Sequence, residues 1–311
     1  MKAKGMEELV KDYLAKRRAL GFALRSEGAQ LLGFARYADH RGHRGPLTLK
    51  LAVQWARLPK GASPQYWACR LQSLRPFAKY RLAFDPRTEI PPTGYLGASY
   101  QRRTPHIYSD AEIVTLMRAA GQLRPRDGLR PLTYVTLLGL LACTGLRISE
   151  ALRLHSDDVD LDQGVVTVRQ SKFKQSRLVP LHPSTVKALR SYSRVRHQRV
   201  GGEHFFVSQS GQPLRYCTVW DTFQRLVSKA VASGGGRQRP PRLHDLRHTF
   251  ATSRLVHWAR QRTAPDWALL LLSKYLGHQQ VTHSYWYFSA VPQLLSQVSR
   301  RFERFARNVQ P

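Results

Sequence analysis

The sequence predicts two domains: an all-α helical bundle over residues 1–95 and a mixed α/β domain over 107–311, mostly α with a small antiparallel sheet, joined by a linker at 96–106. Three observations carry this. Apolar residues recur at helical spacing through 1–84. Pro86, Pro91, Pro92, Gly94, Gly97 and Pro105 then interrupt regular structure. Beyond them, one valine-rich alternating stretch, Gly164–Leu181, stands among helical patterns. At 311 residues the chain is long enough to bury two cores.

Leu9, Tyr13 and Leu14 share one face of a first helix that stops near Gly21. Leu31, Leu32, Phe34, Ala35 and Ala38 mark a second, which ends before the turn between Gly42 and Gly45. Thr48 is placed to cap a third helix running through Trp55 to Leu58. Ser63 and Pro64 open a fourth, carrying Trp67, Leu71, Leu74 and Tyr80, with a kink expected at Pro76. Each of these helices also bears lysine or arginine on its other face.

In the second domain, Ser109-Asp110-Ala111-Glu112 has the form of a capping box. The apolar run Tyr134–Cys143 ends at Thr144-Gly145, and Gly164–Leu181 reads as two strands joined by a basic turn. Helical patterns follow at 184–198, 218–232, 245–258 and 265–276, with a glycine-rich basic connector at 234–242. Leu295, Val298, Phe302 and Phe305 give the last segment a helical stripe.

Charge narrows the partner. Fifty lysines and arginines against 20 acidic residues leave a net charge of +30, which calls for a polyanion. A generally adhesive or ribosomal basic protein is the plain alternative. The basic residues are spread through patterned helices, not gathered in one tail, and this favours nucleic acid. Cys69, Cys143 and Cys217 are single and odd in number, so neither a disulfide framework nor a thiolate zinc site is suggested. No run approaches the roughly 18 apolar residues of a membrane span. A cytoplasmic, nucleoid-associated protein without membrane contact is expected.

Three segments hold polar residues where a core would prefer none. Thr144–Glu150 presents Arg147 at the end of an apolar helix. Arg242–Ala251 places His244 and Arg247 three apart, on one helical face. Leu276–Val281 puts His278 at a glycine turn, and Tyr287 follows nine residues later. Singly, each has a plain structural reading: an ion pair, a common helical spacing, a core tyrosine. His244-x-x-x-His248 also suggests zinc, but Asp245 stands where a metalloprotease motif needs glutamate, and no further ligand cluster is evident.

In this order, an arginine, a lysine on a hairpin, His-x-x-Arg, Leu-Gly-His and a tyrosine resemble the tyrosine recombinase or phage integrase family. The resemblance runs through 109–290 on TGLRISEALRL, RLVPLHP, HDLRHTFAT and YLGH. More loosely, the N-terminal region resembles the family's helical core-binding domain, a SAM-like DNA-binding module. YWYFSAVPQLL is similar to integrases carried by bacterial transposon-like elements.

The resemblance implies roles residue by residue. Arg147 and Arg247 would bind the scissile phosphate, since guanidiniums offer paired donors to its oxygens. His244 and His278 would add donors, and Tyr287 would be the nucleophile, with Tyr285 a rival register. Lys172 would protonate the leaving 5′ oxygen; Lys174 lies in the same turn, and forward alignment favours Lys172. Glu150 would support Arg147, while Lys174, Arg177 and Arg242 would contact DNA. No cofactor or metal is expected. Double-stranded DNA is the expected partner, with a homotetramer on synapsed DNA, a monomer or dimer when free, and sister recombinases as further candidates. The C-terminal stripe is expected to join protomers. Two other classes stay open: a type IB topoisomerase, which uses a similar residue set, and a DNA-binding accessory factor without catalysis.

Overall fold

The structure is a computed structural model that describes residues 4–99, 104–169, 176–230, 240–261 and 263–277. Lys172, Lys174, His278, Tyr285, Tyr287, the connector at 231–239 and the C-terminal stripe lie outside the described residues. The chain divides into two compact units, Met1–Arg103 and Thr104–Pro311.

In the first unit, α1 (Met6–Ala19), α2 (Arg25–His40), α3 (Leu49–Ala56) and α4 (Pro64–Leu82) enclose one apolar core. Val10, Phe34, Leu74 and Phe77 are fully buried there, each such side chain contributing roughly 1.5–3 kcal/mol. Phe34 and Trp55 meet edge to face at 5.6 Å. The Thr48 and Ser63 hydroxyls accept from Leu51 N and Tyr66 N, so both act as N-caps. α1 is capped differently. Its N-cap is Gly5, and the Asp39 carboxylate, near the end of α2, accepts from Met6 N and Glu7 N at 2.9 Å each. α4 runs as one element through Pro76, and α3 ends at Ala56, two residues before the expected Leu58.

The second unit is built around α6 (Leu129–Thr144), a helix apolar on nearly every side. It packs against α5 (Asp110–Gly121), α8 (Pro183–Arg199) and α10 (Leu243–Arg260). Burial on several faces explains why its pattern shows a run and no stripe. Ser109 and Glu112 form the expected capping box of α5. α9 (Tyr216–Ala230) packs on α5, and α11 (Pro265–Leu276) on α10 through Leu255, Leu269 and Leu272.

Among the described residues there is one antiparallel sheet, ordered β1 (Val159–Asp160), β2 (Val165–Val168), β3 (Arg177–Pro180). The sequence pattern indicates β2 and β3. It misses β1, whose two residues are too few to show alternation, and α7 (Ile148–Ala151), a single turn. Val166 pairs with Val179 and Val168 with Arg177, so Arg177 opens β3 directly after the segment that carries Lys172.

Candidate active site

Three chain ends meet at the candidate site: the α6–α7 turn, the start of α10, and the end of α11. At the first, the Thr144 hydroxyl donates back to Leu140 O and ends α6 at Gly145. Gly145 has φ +63°, and a Cβ there would lie 2.5 Å from Phe250 Cδ1. Only glycine satisfies both the left-handed backbone and the close approach of α10.

Two residues on, Arg147 begins α7. Its backbone N–H donates to Glu150 Oε2 at 3.0 Å, and its Nη1 to Glu150 Oε1 at 2.8 Å. One carboxylate thus holds both the main chain and the guanidinium of Arg147, whose side chain keeps 25 % exposure. Arg177 reaches the same carboxylate from β3, with Nη1 on Oε1 at 3.1 Å and Nη2 on Oε2 at 2.8 Å. Its Nε donates to Tyr275 O at 2.9 Å. Glu150 is buried, with 2 % side-chain exposure. Burial pushes its carboxyl up, but the hydrogen bonds and charge of Arg177, then those of Arg147, outweigh that and hold its pKa at about 2.

α10 starts the same way. Arg242 N donates to Asp245 Oδ2 at 2.8 Å, and Arg242 Nη2 to Asp245 Oδ1 at 2.8 Å. The Thr249 hydroxyl donates to Asp245 O and accepts from Tyr108 N, which ties the start of this unit to α10. Arg247, 2 % exposed, donates from Nη1 to Gly145 O and from Nη2 to Leu276 O, both at 2.7 Å. It therefore joins all three chain ends. The rings of His244 and His248 stand 4.8 Å apart at 89°. Desolvation, then the neighbouring His248, Arg247 and Arg242, push His244 down to about 4, so the ring is neutral at pH 7. His244 is exposed as a residue, and the three nearby bases act in the same direction as desolvation.

α11 ends at Gly277, φ +66°, where a Cβ would lie 3.0 Å from Arg177 Nη1. His278 is the next residue in sequence. The described residues of the site thus combine the guanidiniums of Arg147, Arg177, Arg242 and Arg247 with only two carboxylates, Glu150 and Asp245. The excess is positive and suited to a phosphate diester. Among the described residues, no group of three or more His, Cys, Asp or Glu could hold a metal ion.

Of the residues singled out in the sequence, Arg147, Glu150, Arg177, Arg242, His244 and Arg247 gather here. Arg177 and Arg242 were expected to face DNA; both have their guanidiniums on buried carboxylates, with Arg242 still 39 % exposed and Arg177 only 13 %. The sequence reading missed Asp245. Its signal is present: an acid at the third helical position, three residues after Arg242, is the place for a carboxylate that caps the helix start.

Residues 109–293 match the phage integrase family, and the chain belongs to that family. It is 41 % identical over 306 residues to y4rB of Sinorhizobium fredii, a protein named as an integrase/recombinase, covering 96 % of each chain. It is 33 % identical over 187 residues to the tyrosine recombinase XerD of Mycobacterium tuberculosis, covering 58 % of this chain and 55 % of that one. Among solved structures, the integrase of transposon Tn1549 in complex with transposon right-end DNA shares the fold. Its TM-score is 0.69 at 18 % identity, over 97 % of this chain and all of that one.

Proposed function

We propose that this chain is a site-specific DNA recombinase of a mobile element, cleaving and rejoining DNA through a 3′-phosphotyrosine. The observation that carries this is the guanidinium of Arg247 on the Gly145 carbonyl, two residues before Arg147. Two arginines distant in sequence are held at one spot, each by rigid partners, in a site with excess positive charge.

In the proposed reaction, Tyr287 Oη attacks the scissile phosphorus and the bond to the 5′ oxygen breaks. Lys172 gives that oxygen a proton, leaving a 5′-hydroxyl and a phosphodiester to the tyrosine. Because the ester replaces an ester, rejoining by another 5′-hydroxyl needs no external energy source. Arg147 and Arg247 bind the non-bridging oxygens and stabilise the added charge of the five-coordinate transition state; preorganised donors of this kind are worth roughly 3–4 kcal/mol each. A phenol ionises near pH 10, so the tyrosine needs cationic surroundings or a base to react at pH 7. His244, neutral and beside Arg247, suits the role of a base or a donor to the phosphate. Synapsis of two duplexes brings four protomers together, each with one nucleophilic tyrosine.

Trapping tests this reading. Incubated with a supercoiled plasmid carrying the DNA that flanks its gene, the wild-type chain should give a detergent-resistant protein–DNA adduct, in the presence of excess EDTA as well. Tyr287→Phe should bind the same DNA and give none. An adduct that survives in Tyr287→Phe and is lost in Tyr285→Phe moves the nucleophile; an adduct lost with EDTA and restored by Mg²⁺ removes the mechanism.

A further inference from the structure

We infer that Arg177 is a positioning residue for strand cleavage and not a DNA contact: its guanidinium locks Glu150, and through it Arg147, to β3 and to the last turn of α11. The inference rests on the reading of the site as a strand-cleaving centre. Three observations carry it. First, Nη1 and Nη2 are paired with the two oxygens of Glu150, and Nε donates to Tyr275 O. Those donors lie on a buried carboxylate, which a phosphate would have to displace to use them.

Second, the residue stands where three parts of the site join. It opens β3 opposite Val168, at the base of the segment that carries Lys172. It shares its carboxylate with Arg147. It also sits on the end of α11, at Tyr275 O, two residues before Gly277 and three before His278 in the sequence. That helix end is held twice, since Tyr275 O accepts from Arg177 and Leu276 O from Arg247. Cations at a helix C-terminus also meet the negative end of its dipole. Third, Gly277 leaves the space Arg177 occupies, because a Cβ there would come within 3.0 Å of Nη1. A planar fork with a third donor at Nε fits this corner, and an ammonium cannot reproduce it.

Without Arg177, Glu150 keeps one cation for a desolvated charge, and Arg147 loses the fixed carboxylate that orients it. The loss should therefore fall on turnover and leave affinity intact. The test uses Arg177→Met, Arg177→Lys, Glu150→Gln and the double variant Arg177→Met/Glu150→Gln, in the full chain. Adduct formation is followed on the supercoiled plasmid carrying the gene's flanking DNA, and affinity on a linear fragment of that DNA across a salt series. The expected result for Arg177→Met is adduct formation slower by about 100-fold or more, the scale of a lost preorganised donor. Its affinity should stay within about threefold and its salt slope should be unchanged. Arg177→Lys should not restore the rate, because an ammonium lacks the paired donors that hold Glu150 and the third donor on Tyr275 O. The double variant should be no slower than the slower single variant, because both act through one link.

A salt slope reduced by about 0.9, with cleavage falling only in step with binding, makes Arg177 a phosphate contact and overturns the inference. Restoration by lysine, or additive losses in the double variant, does the same. Should Arg177→Met fail to fold, the double variant decides, since it removes both charges of the pair. Wild-type cleavage rates in that folded double variant overturn the inference. If the wild-type chain itself forms no adduct, the strand-cleavage reading fails. The link is then read by NMR titration of the Glu150 carboxyl, which should rise in Arg177→Met; an unchanged titration there overturns it separately.

Discussion

Glu150 concentrates the electrostatics of the candidate site at a single residue. Two guanidiniums converge on a carboxylate from which water is almost excluded, and their hydrogen bonds and charge outweigh the cost of desolvation. Its pKa of about 2, against an ordinary 4.5, favours the folded state by on the order of 3 kcal/mol. A depressed carboxyl pKa gives stability that is complete above the unfolded value and is lost as pH falls towards the folded one. The clamp should therefore be intact at pH 5 and fade only towards pH 2. Glu150→Gln leaves Arg177 buried without its counter-charge, a change that costs roughly 3–5 kcal/mol in comparable buried pairs. Urea unfolding at pH 8, 6.5 and 5 should show that gap between wild type and variant undiminished. Carried on to pH 3, the gap should shrink as the unfolded chain takes up its proton first; a gap that stays level to pH 3 would show that Glu150 keeps its ordinary pKa in the fold. The His244 and His248 rings act on the same side of the pH scale. Both are lowered to about 4, so the unfolded chain takes up their protons first and stability falls as pH drops from 6.5 to 4.

Helix ends, more than helix bodies, position this chemistry. Gly145 caps the end of α6, Arg147 the start of α7, Arg242 the start of α10, and Gly277 the end of α11. Each of these ends leaves unsatisfied backbone groups, and the site's charged side chains satisfy several of them. Arg247 takes carbonyls from the ends of α6 and α11, and Glu150 and Asp245 take N–H groups at the starts of α7 and α10. Substitution at a terminus should therefore disturb function and stability together. Gly145→Ala meets a left-handed backbone, costing about 1–2 kcal/mol for an L-residue. It also meets Phe250 at a distance no Cβ tolerates. The variant should unfold at least about 2 kcal/mol more easily and form adduct more slowly than its folded fraction accounts for. Normal adduct rates would show that α10 can retreat from the turn without moving Arg247.

At the scale of the molecule, the charge of +30 sets how the chain meets its partner. Binding to duplex DNA should weaken by about 0.9 in log K per log unit of salt for each phosphate neutralised. With basic residues in both units, six or more contacts are expected, so the slope should be about −5 or steeper. Measurement by anisotropy between 50 and 300 mM salt would decide it, and a nearly flat line would mean that the basic surface faces something other than DNA. No helix among the described residues is long and apolar enough to cross a membrane.

The chain by itself determined the helices α1–α4, the capping box of α5 and the order of the site's residue types. These depend on local spacing: an apolar repeat, a Ser-x-x-Glu, an Arg three residues from a His. It also supplied the pattern by which the family is recognised, since Arg147, His244 and Arg247 stand in motifs that read linearly. Tertiary structure alone decided what the remaining charges do. Asp39 caps a helix more than 30 residues away, which no local pattern predicts. Arg177 and Arg242 read as DNA contacts in sequence; in the fold the guanidinium of each lies on a carboxylate. Glu150 is 27 positions from Arg177 in the chain, and its charge is stabilised only when β3 and α7 are brought together. The physical reason is one of range. Backbone preference and hydrophobic period act within a few residues, whereas the partner of a buried charge is whichever group the packed fold sets beside it.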